Sequence, residues 1–239
     1  MKGDDYMEVL NDFGKWTFKD KEVADKFDSH VVQSVPFYNV FHDMIVTFSR
    51  YFIMDGTNAI DLGTSTGHLL HKIQQANLCK DSKFYGIDYS EEMIDKAKQF
   101  YPELNFLNSD LTKEGSLDGY CKVTFVSSML CLQFINPNYR DFILHNIYSN
   151  MENGGAFVIV EKIKSTNVDL HDIYNNKYWE FKRESGISDK EIVDKNFSLQ
   201  GQMFPLTMES NIEHLKKAGF KTVEVFMKYN NFVGIIAIK

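Results

Sequence analysis

The stretch that most constrains this chain is Thr57 to Gly67, TNAIDLGTSTG, followed by YGIDYS over Tyr85 to Ser90. An apolar run ends in an acid, Asp61, and then turns through Gly63, Thr64, Ser65 and Gly67 into HLLHKI. That order reads as strand, tight turn and helix start, because closely spaced glycines enter the left-handed backbone region cheaply and let the backbone approach a nucleotide-like ligand. A second acid, Asp88, ends the next apolar run. Ser65 stands where a dinucleotide fingerprint has its middle glycine, and no third glycine follows at that spacing. The pattern therefore disfavours a pyrophosphate. Similar turns occur in α/β proteins that bind nothing there, so the second acid and the downstream order of elements must carry the rest of the reading.

Asp88 follows the turn at about the distance, 20 to 30 residues, at which such folds place an acceptor for a ribose diol. S-adenosylmethionine has a ribose and no phosphate, and it fits both halves of the pattern. It is the expected cofactor, with S-adenosylhomocysteine as product.

From Asn58 onward strands and helices alternate: AIDL, a helix from about Gly67, FYGID, a helix over about Glu91 to Phe100, LNFLNSD and VTFVSSM. A helix from about Tyr139 to Met151 and the apolar GGAFVIVEK follow. This alternation predicts an α/β fold with a doubly wound, mostly parallel sheet. The last two apolar runs, FKTVEVFMKY and NNFVGIIAIK, are separated by a short Asn-rich turn, so they pair as an antiparallel hairpin and one terminal strand is reversed. Residues 1–52 show helical spacing at Val23, Phe27 and Val31 and again from Phe41 to Phe52, and are expected to form an N-terminal helical cap, interrupted at Pro36. The domain proper is assigned to 53–239, with a polar, aromatic cover segment over about 165–207.

Composition excludes some classes. No apolar stretch reaches the roughly 18 residues that a membrane span needs, and the N-terminus lacks a signal-peptide core, so a cytoplasmic location is expected. A net charge of −7 disfavours a nucleic-acid partner without excluding one. Cys79, Cys121 and Cys131 have neither metal-knuckle nor redox-pair spacing; buried thiols, no disulfide and no metal site are expected.

The chain resembles class I S-adenosylmethionine-dependent methyltransferases, a Rossmann-like fold of seven strands with a reversed terminal strand. More closely it resembles the group of carboxy-S-adenosylmethionine synthases and tRNA wobble-uridine-modifying methyltransferases. The residues that carry this are FDSHVVQSVPFY, DLGTSTG, IDYSEEMI, LQF at Leu132 to Phe134, GGAFVIVEK, EFKRESGIS and HLKKAGF. The resemblance implies that Tyr38 caps the cofactor and that Gly63, Thr64 and Ser65 line its methionine moiety. Asp88 and Tyr89 would hold the ribose and flank the adenine, with Met93 of IDYSEEMI beside them. Asp110 and Leu111 would hold the adenine edge. Two positions depart from the related group: Met129 replaces an asparagine, and Asn196 replaces an arginine that pairs with the extra carboxylate of the carboxylated cofactor. A guanidinium grips a carboxylate through two charge-assisted bonds, which a neutral amide cannot replace. Plain S-adenosylmethionine and methyl transfer to a small-molecule acceptor are accordingly expected. The alternatives are synthesis of the carboxylated cofactor from prephenate for tRNA modification, and a non-catalytic S-adenosylmethionine-binding protein.

Methyl transfer from a sulfonium needs alignment and a dry pocket more than a fixed base, so no catalytic residue is assigned. The segment after VTFVSS has neither the D/N-P-P-Y/F run nor the Pro-Cys pair of nucleobase methylation, and no cluster of acids for metal-assisted transfer. Tyr174, Tyr178, Trp179 and Arg183, with Asn196, are candidates for the acceptor pocket, although the tyrosines also fit the buried face of a cover helix. His145 and His171 stand alone and are expected to be structural or surface groups rather than bases. Glu161, ending its strand, faces either a ligand or a neighbouring lysine. A homodimer is left open.

Overall fold

The computed structural model describes Asp28 and residues 30–239. The predicted helical features at Val23 and Phe27, and the cap over 1–27 generally, lie outside the described residues.

The chain order is α1 (Tyr38–Phe52), β1 (Asn58–Leu62), α2 (His68–Ala76), β2 (Phe84–Asp88), α3 (Glu91–Phe100), β3 (Asn105–Asn108) and β4 (Val123–Met129). After two 3-10 turns come α4 (Arg140–Asn150), β5 (Met151–Lys162), α5 (Val168–Glu184), α6 (Asp189–Ser198), α7 (Met208–Ala218), β6 (Thr222–Tyr229) and β7 (Phe232–Ile238). The seven strands form one sheet in the order β3-β2-β1-β4-β5-β7-β6. β1 to β5 pair in parallel, and β7 runs antiparallel to both β5 and β6. The reversed strand follows from the linker: only Asn230 and Asn231 join β6 to β7, too few for a parallel crossover.

Successive side chains of a strand point to opposite faces, and here both faces are covered. In β5, Phe157 and Ile159 pack with Ile143 and Leu144 of α4 and Leu215 of α7. Ala156, Val158 and Val160 join Phe41 and Ile45 of α1 and Leu70 and Ile73 of α2 on the other face. A helical stretch over 30–34 precedes α1, broken at Pro36 where the sequence predicts, with Phe37 at φ 58°. Helix α5 starts at an Asn167 cap and α6 at a capping box of Ser188 and Glu191.

The cysteine expectation needs correction. Cys121 is exposed, and Cys79 and Cys131 are only partly buried. Cys121 sits in the turn before β4, where its carbonyl accepts the Asn58 side-chain amide at 2.7 Å while its thiol faces outward.

The turn after β1 leaves no slack. Gly63 has φ +70°, and a Cβ there would lie 2.5 Å from the Cys131 side chain. Its N–H and that of Thr64 both donate to the Ile87 carbonyl, at 2.8 and 3.1 Å, locking the turn onto the end of β2. Gly63→Ala should therefore destabilise the fold by roughly 2 to 4 kcal/mol through backbone strain and overpacking, read as a lower midpoint in urea unfolding. An unchanged midpoint would show that the turn relaxes freely.

Candidate cofactor and substrate site

The strand ends of β1, β2 and β4, where connections leave toward opposite faces of the sheet, open into a cavity of about 810 Å³. That is near the upper end of small-molecule sites, about 300 to 1,000 Å³, and leaves room for a second molecule beside a nucleoside.

One end is acidic. Asp88 is held by two backbone amides: Oδ2 accepts from Ser65 N and Oδ1 from Ser90 N, each at 2.9 Å. Burial raises its pKa, and the amides of Ser90 and Ser65 oppose the rise. A carboxylate offers about four acceptor sites, so capacity remains on Asp88 for a hydroxyl donor. Asp110 lines the cavity, and its Oδ1 accepts from both the amide and the hydroxyl of Thr112, at 2.9 and 2.7 Å, which fixes the orientation of the carboxylate. Met93 is buried and its sulfur accepts the Ser65 hydroxyl at 3.4 Å, while Tyr89 stays largely exposed at the rim. Asp61, fully buried, accepts the Ser127 hydroxyl at 2.7 Å. Burial pushes its pKa up to about 7, with the Ser127 and Thr64 hydroxyls opposing and Asp88 adding to the rise. An acid so raised is short of a cation, and a sulfonium or α-ammonium group supplies one.

The segment before β1 walls this end. The Thr66 hydroxyl donates to Asp28 at 2.7 Å, and Tyr38 lines the cavity with its ring 4.4 Å from that of His42. Burial raises the Tyr38 phenol and lowers His42 to about 3, so His42 is a neutral wall residue.

The other end is basic. Lys162 at the end of β5, Lys182 of α5 and Lys195 of α6 all line it. The Lys162 and Lys182 ammonium groups sit 4.5 and 4.4 Å from the centroid of the Tyr178 ring. Burial, with the charge of Lys182, lowers Lys162 to about 8; burial alone lowers Lys182 to about 8. Lys195 falls to about 7 through burial and then Lys182. Among the described residues no carboxylate reaches ion-pair distance of Lys162 or Lys182.

Gln133 joins the halves. It is buried, its Oε1 accepts the Lys162 amide at 2.7 Å, and its carbonyl accepts the Phe204 amide at 2.6 Å, fastening the return of the cover segment to the cavity wall.

Most of the sequence-derived residues come together here: Tyr38, Asp61, Gly63, Thr64, Ser65, Asp88, Tyr89, Met93, Asp110, Leu111 and Met129 line the cavity, as do Tyr178, Trp179 and Asn196. Three do not. Gly67 caps α2 with the Phe106 ring 2.7 Å from where a Cβ would stand, a packing role. Tyr174 points away, 4.8 Å from the Lys228 ammonium, and Arg183 pairs with Asp189 across the α5–α6 turn. Glu161 faces neither ligand nor lysine; it pairs at 3.6 Å with Arg140, both almost fully buried. His145 and His171 lie off the cavity. The lysines were missed, although Lys182 stands four residues after Tyr178 and Lys162 closes a buried strand, both readable spacings.

Two expectations follow. Asp88→Ala should weaken S-adenosylmethionine binding by about 1.5 to 3 kcal/mol per ribose bond lost, measured by calorimetry; unaltered affinity would remove Asp88 from the site. Lys182→Met should stabilise the ligand-free protein by on the order of 2 kcal/mol below pH 8, because the buried ammonium is a burden there. Its folded-state pKa, about 8, lies below the ordinary 10.5, so the burden is full below pH 8 and fades as pH rises to 10.5. Urea midpoints at pH 7 and pH 10 check this: the variant's advantage should shrink at the higher pH.

A family model described as a methyltransferase domain matches residues 53–217. A Staphylococcus epidermidis protein named carboxy-S-adenosyl-L-methionine synthase is 38% identical over 229 residues, covering 94% of this chain and 97% of its own length. The protein of that name from Nautilia profundicola is 37% identical, covering 92% and 93%. Among solved structures, human N-acetylserotonin methyltransferase in complex with S-adenosylmethionine aligns with a TM-score of 0.62 at 17% identity, over 93% of this chain and 57% of that one. A Haemonchus contortus phosphoethanolamine N-methyltransferase complex aligns with a TM-score of 0.62 at 15% identity, over 95% and 60%. With a domain match across most of its length and relatives of this identity across nearly all of it, the chain belongs to the S-adenosylmethionine-dependent methyltransferase family.

Proposed function

We propose that this enzyme makes carboxy-S-adenosyl-L-methionine, placing a carboxyl group on the sulfonium methyl of S-adenosylmethionine. The carrying observation is the two-signed cavity. Asp61 and Asp88 suit a cationic nucleoside, and Lys162, Lys182 and Lys195 stand in the same cavity where a negative group is wanted. A plain sulfonium cofactor with a neutral acceptor leaves Lys162 and Lys182 uncompensated among the described residues. A carboxylate on the methyl carbon, or on the donor it comes from, compensates them. The relatives carrying the synthase name match the cover segment as well as the nucleoside-binding half, since the similarity spans 92–94% of the chain.

On this reading one C–H bond of the methyl group breaks and one C–C bond to the carboxyl carbon forms. With prephenate as donor, loss of the ring carboxyl and hydroxyl groups leaves an aromatic ring, and the shed hydroxide takes the methyl proton as water. The product would then serve tRNA wobble-uridine modification. The protein's share is to exclude water and fix the two substrates against each other, and a cavity with room for both suits that task.

Methyl transfer to an anionic small-molecule acceptor is the second reading. Asn196, which lines the cavity where the related group carries its arginine, favours it.

Mass spectrometry of the nucleoside released from the purified protein separates the two. The expected species is heavier than S-adenosylmethionine by one carbon dioxide, and it should accumulate when the enzyme is given S-adenosylmethionine and prephenate. Recovery of only S-adenosylmethionine or S-adenosylhomocysteine, with no such product under turnover, would sink the synthase reading.

A further inference from the structure

Lys162 and Lys182 come from different elements, the end of β5 and the last turn of the cover helix α5, and each ammonium group sits over the ring of Tyr178, at 4.5 and 4.4 Å from its centroid. Tyr178 is itself buried and braced edge-on by Phe232 of β7 at 5.4 Å. Cation–π contact holds an ammonium in place without neutralising it. Two like charges brought together in a largely desolvated cavity, with no carboxylate of the described residues within ion-pair reach, form an arrangement that an anion completes. Their depressed pKa values are the same fact in another form: burial, not a partner, sets their state. Asn196 lines the same cavity, so the amide that stands in the arginine's position and the two ammonium groups border one space.

We propose that Lys162 and Lys182, braced on Tyr178, form the carboxylate-binding subsite of this enzyme, taking over the task for which a guanidinium is missing at Asn196. The subsite rests on the synthase reading and sharpens it: the pair selects the carboxylated sulfonium over S-adenosylmethionine. Tyr178 is a positioning residue for both ammonium groups.

Calorimetry with two probes tests this. One is S-adenosylmethionine; the other is the same sulfonium bearing carboxymethyl in place of methyl, made by alkylating S-adenosylhomocysteine with iodoacetate. Wild-type protein should bind the carboxymethyl probe more tightly. Lys162→Met and Lys182→Met should each weaken that probe by about ten- to a hundredfold, the loss of one charge-assisted contact, and alter S-adenosylmethionine affinity less than about threefold. The S-adenosylmethionine affinity also reports whether each variant is folded. A wild-type protein that binds both probes equally overturns the synthase reading and the subsite with it. A wild-type preference that survives undiminished in both variants overturns the subsite while leaving the synthase reading in place, as does a parallel loss of both probes in variants whose urea midpoint is no lower than that of the wild type.

Discussion

The binding site exists because the chain crosses from β1 to α2 in a turn that sits directly on the end of β4. Cys131 occupies the space a Cβ at Gly63 would need, and the Ile87 carbonyl takes two amides from the same turn. Those contacts press three strand ends together and aim the Ser65 amide at Asp88. The carboxylate is thereby oriented before any ligand arrives, by groups that are themselves ladder continuations. Pre-orientation matters here because a buried acid that could rotate would find another partner and lose the ribose acceptor role.

Charge burial is the second organising cost. Arg140 and Glu161 pair beneath the cavity, where burial pushes the Glu161 carboxyl up to about 7 against the pull of Arg140. Such a pair contributes little net stability, since desolvation offsets its Coulomb energy. Its geometric effect is larger. Arg140 Nη2 donates to the Leu132 carbonyl at 3.0 Å, which fixes the 3-10 turn over Leu132–Phe134 and with it Gln133, the residue that fastens the cover. Both members of this pair thus find an opposite charge within the protein, whereas Lys162 and Lys182 find none among the described residues. One buried charge set supports the wall; the other is kept inside it for a ligand, a division in which stability is given up where binding is gained.

Much of this was legible in the sequence because the relevant signals are local. Strand and helix alternation fixed the parallel sheet, and a two-residue link fixed the reversed strand. An acid at the end of an apolar run located Asp61 and Asp88. The cover segment was less legible because its signal is a choice among helical faces. Tyr174, Tyr178 and Arg183 look like one set in the sequence, yet at 100° per residue the inward face of α5 runs through Asn175, Tyr178, Trp179 and Lys182. Arg183 lies one position past that face and pairs with Asp189, and Tyr174 falls on its outer edge. Lysine is ordinarily a solvent residue, so nothing local marks Lys162 or Lys182 as inward; only the packing of α5 against β5 and β7 does so. Cys121 failed for the converse reason, an apolar type placed in an exposed turn by its backbone.

Replacing an arginine by lysines changes what the site can specify. A guanidinium is planar, holds its charge at any pH relevant to a cell and fixes a carboxylate through a two-pronged contact that sets orientation as well as sign. Ammonium groups supply sign with little direction, and their charge fades when burial is strong and no anion is present. A site built on Lys162 and Lys182 must therefore take its orientation from elsewhere, and the ring of Tyr178 with the buried, doubly bonded Gln133 provides rigid surfaces for that. The same substitution links charge to occupancy. An arriving carboxylate raises the lysine pKa values and so strengthens its own hold, while a neutral or cationic species gains nothing from the pair. Discrimination then comes from the ligand completing the charge of the cavity, which is a looser geometric demand than a fork-to-fork contact and tolerates the neutral side chain at Asn196.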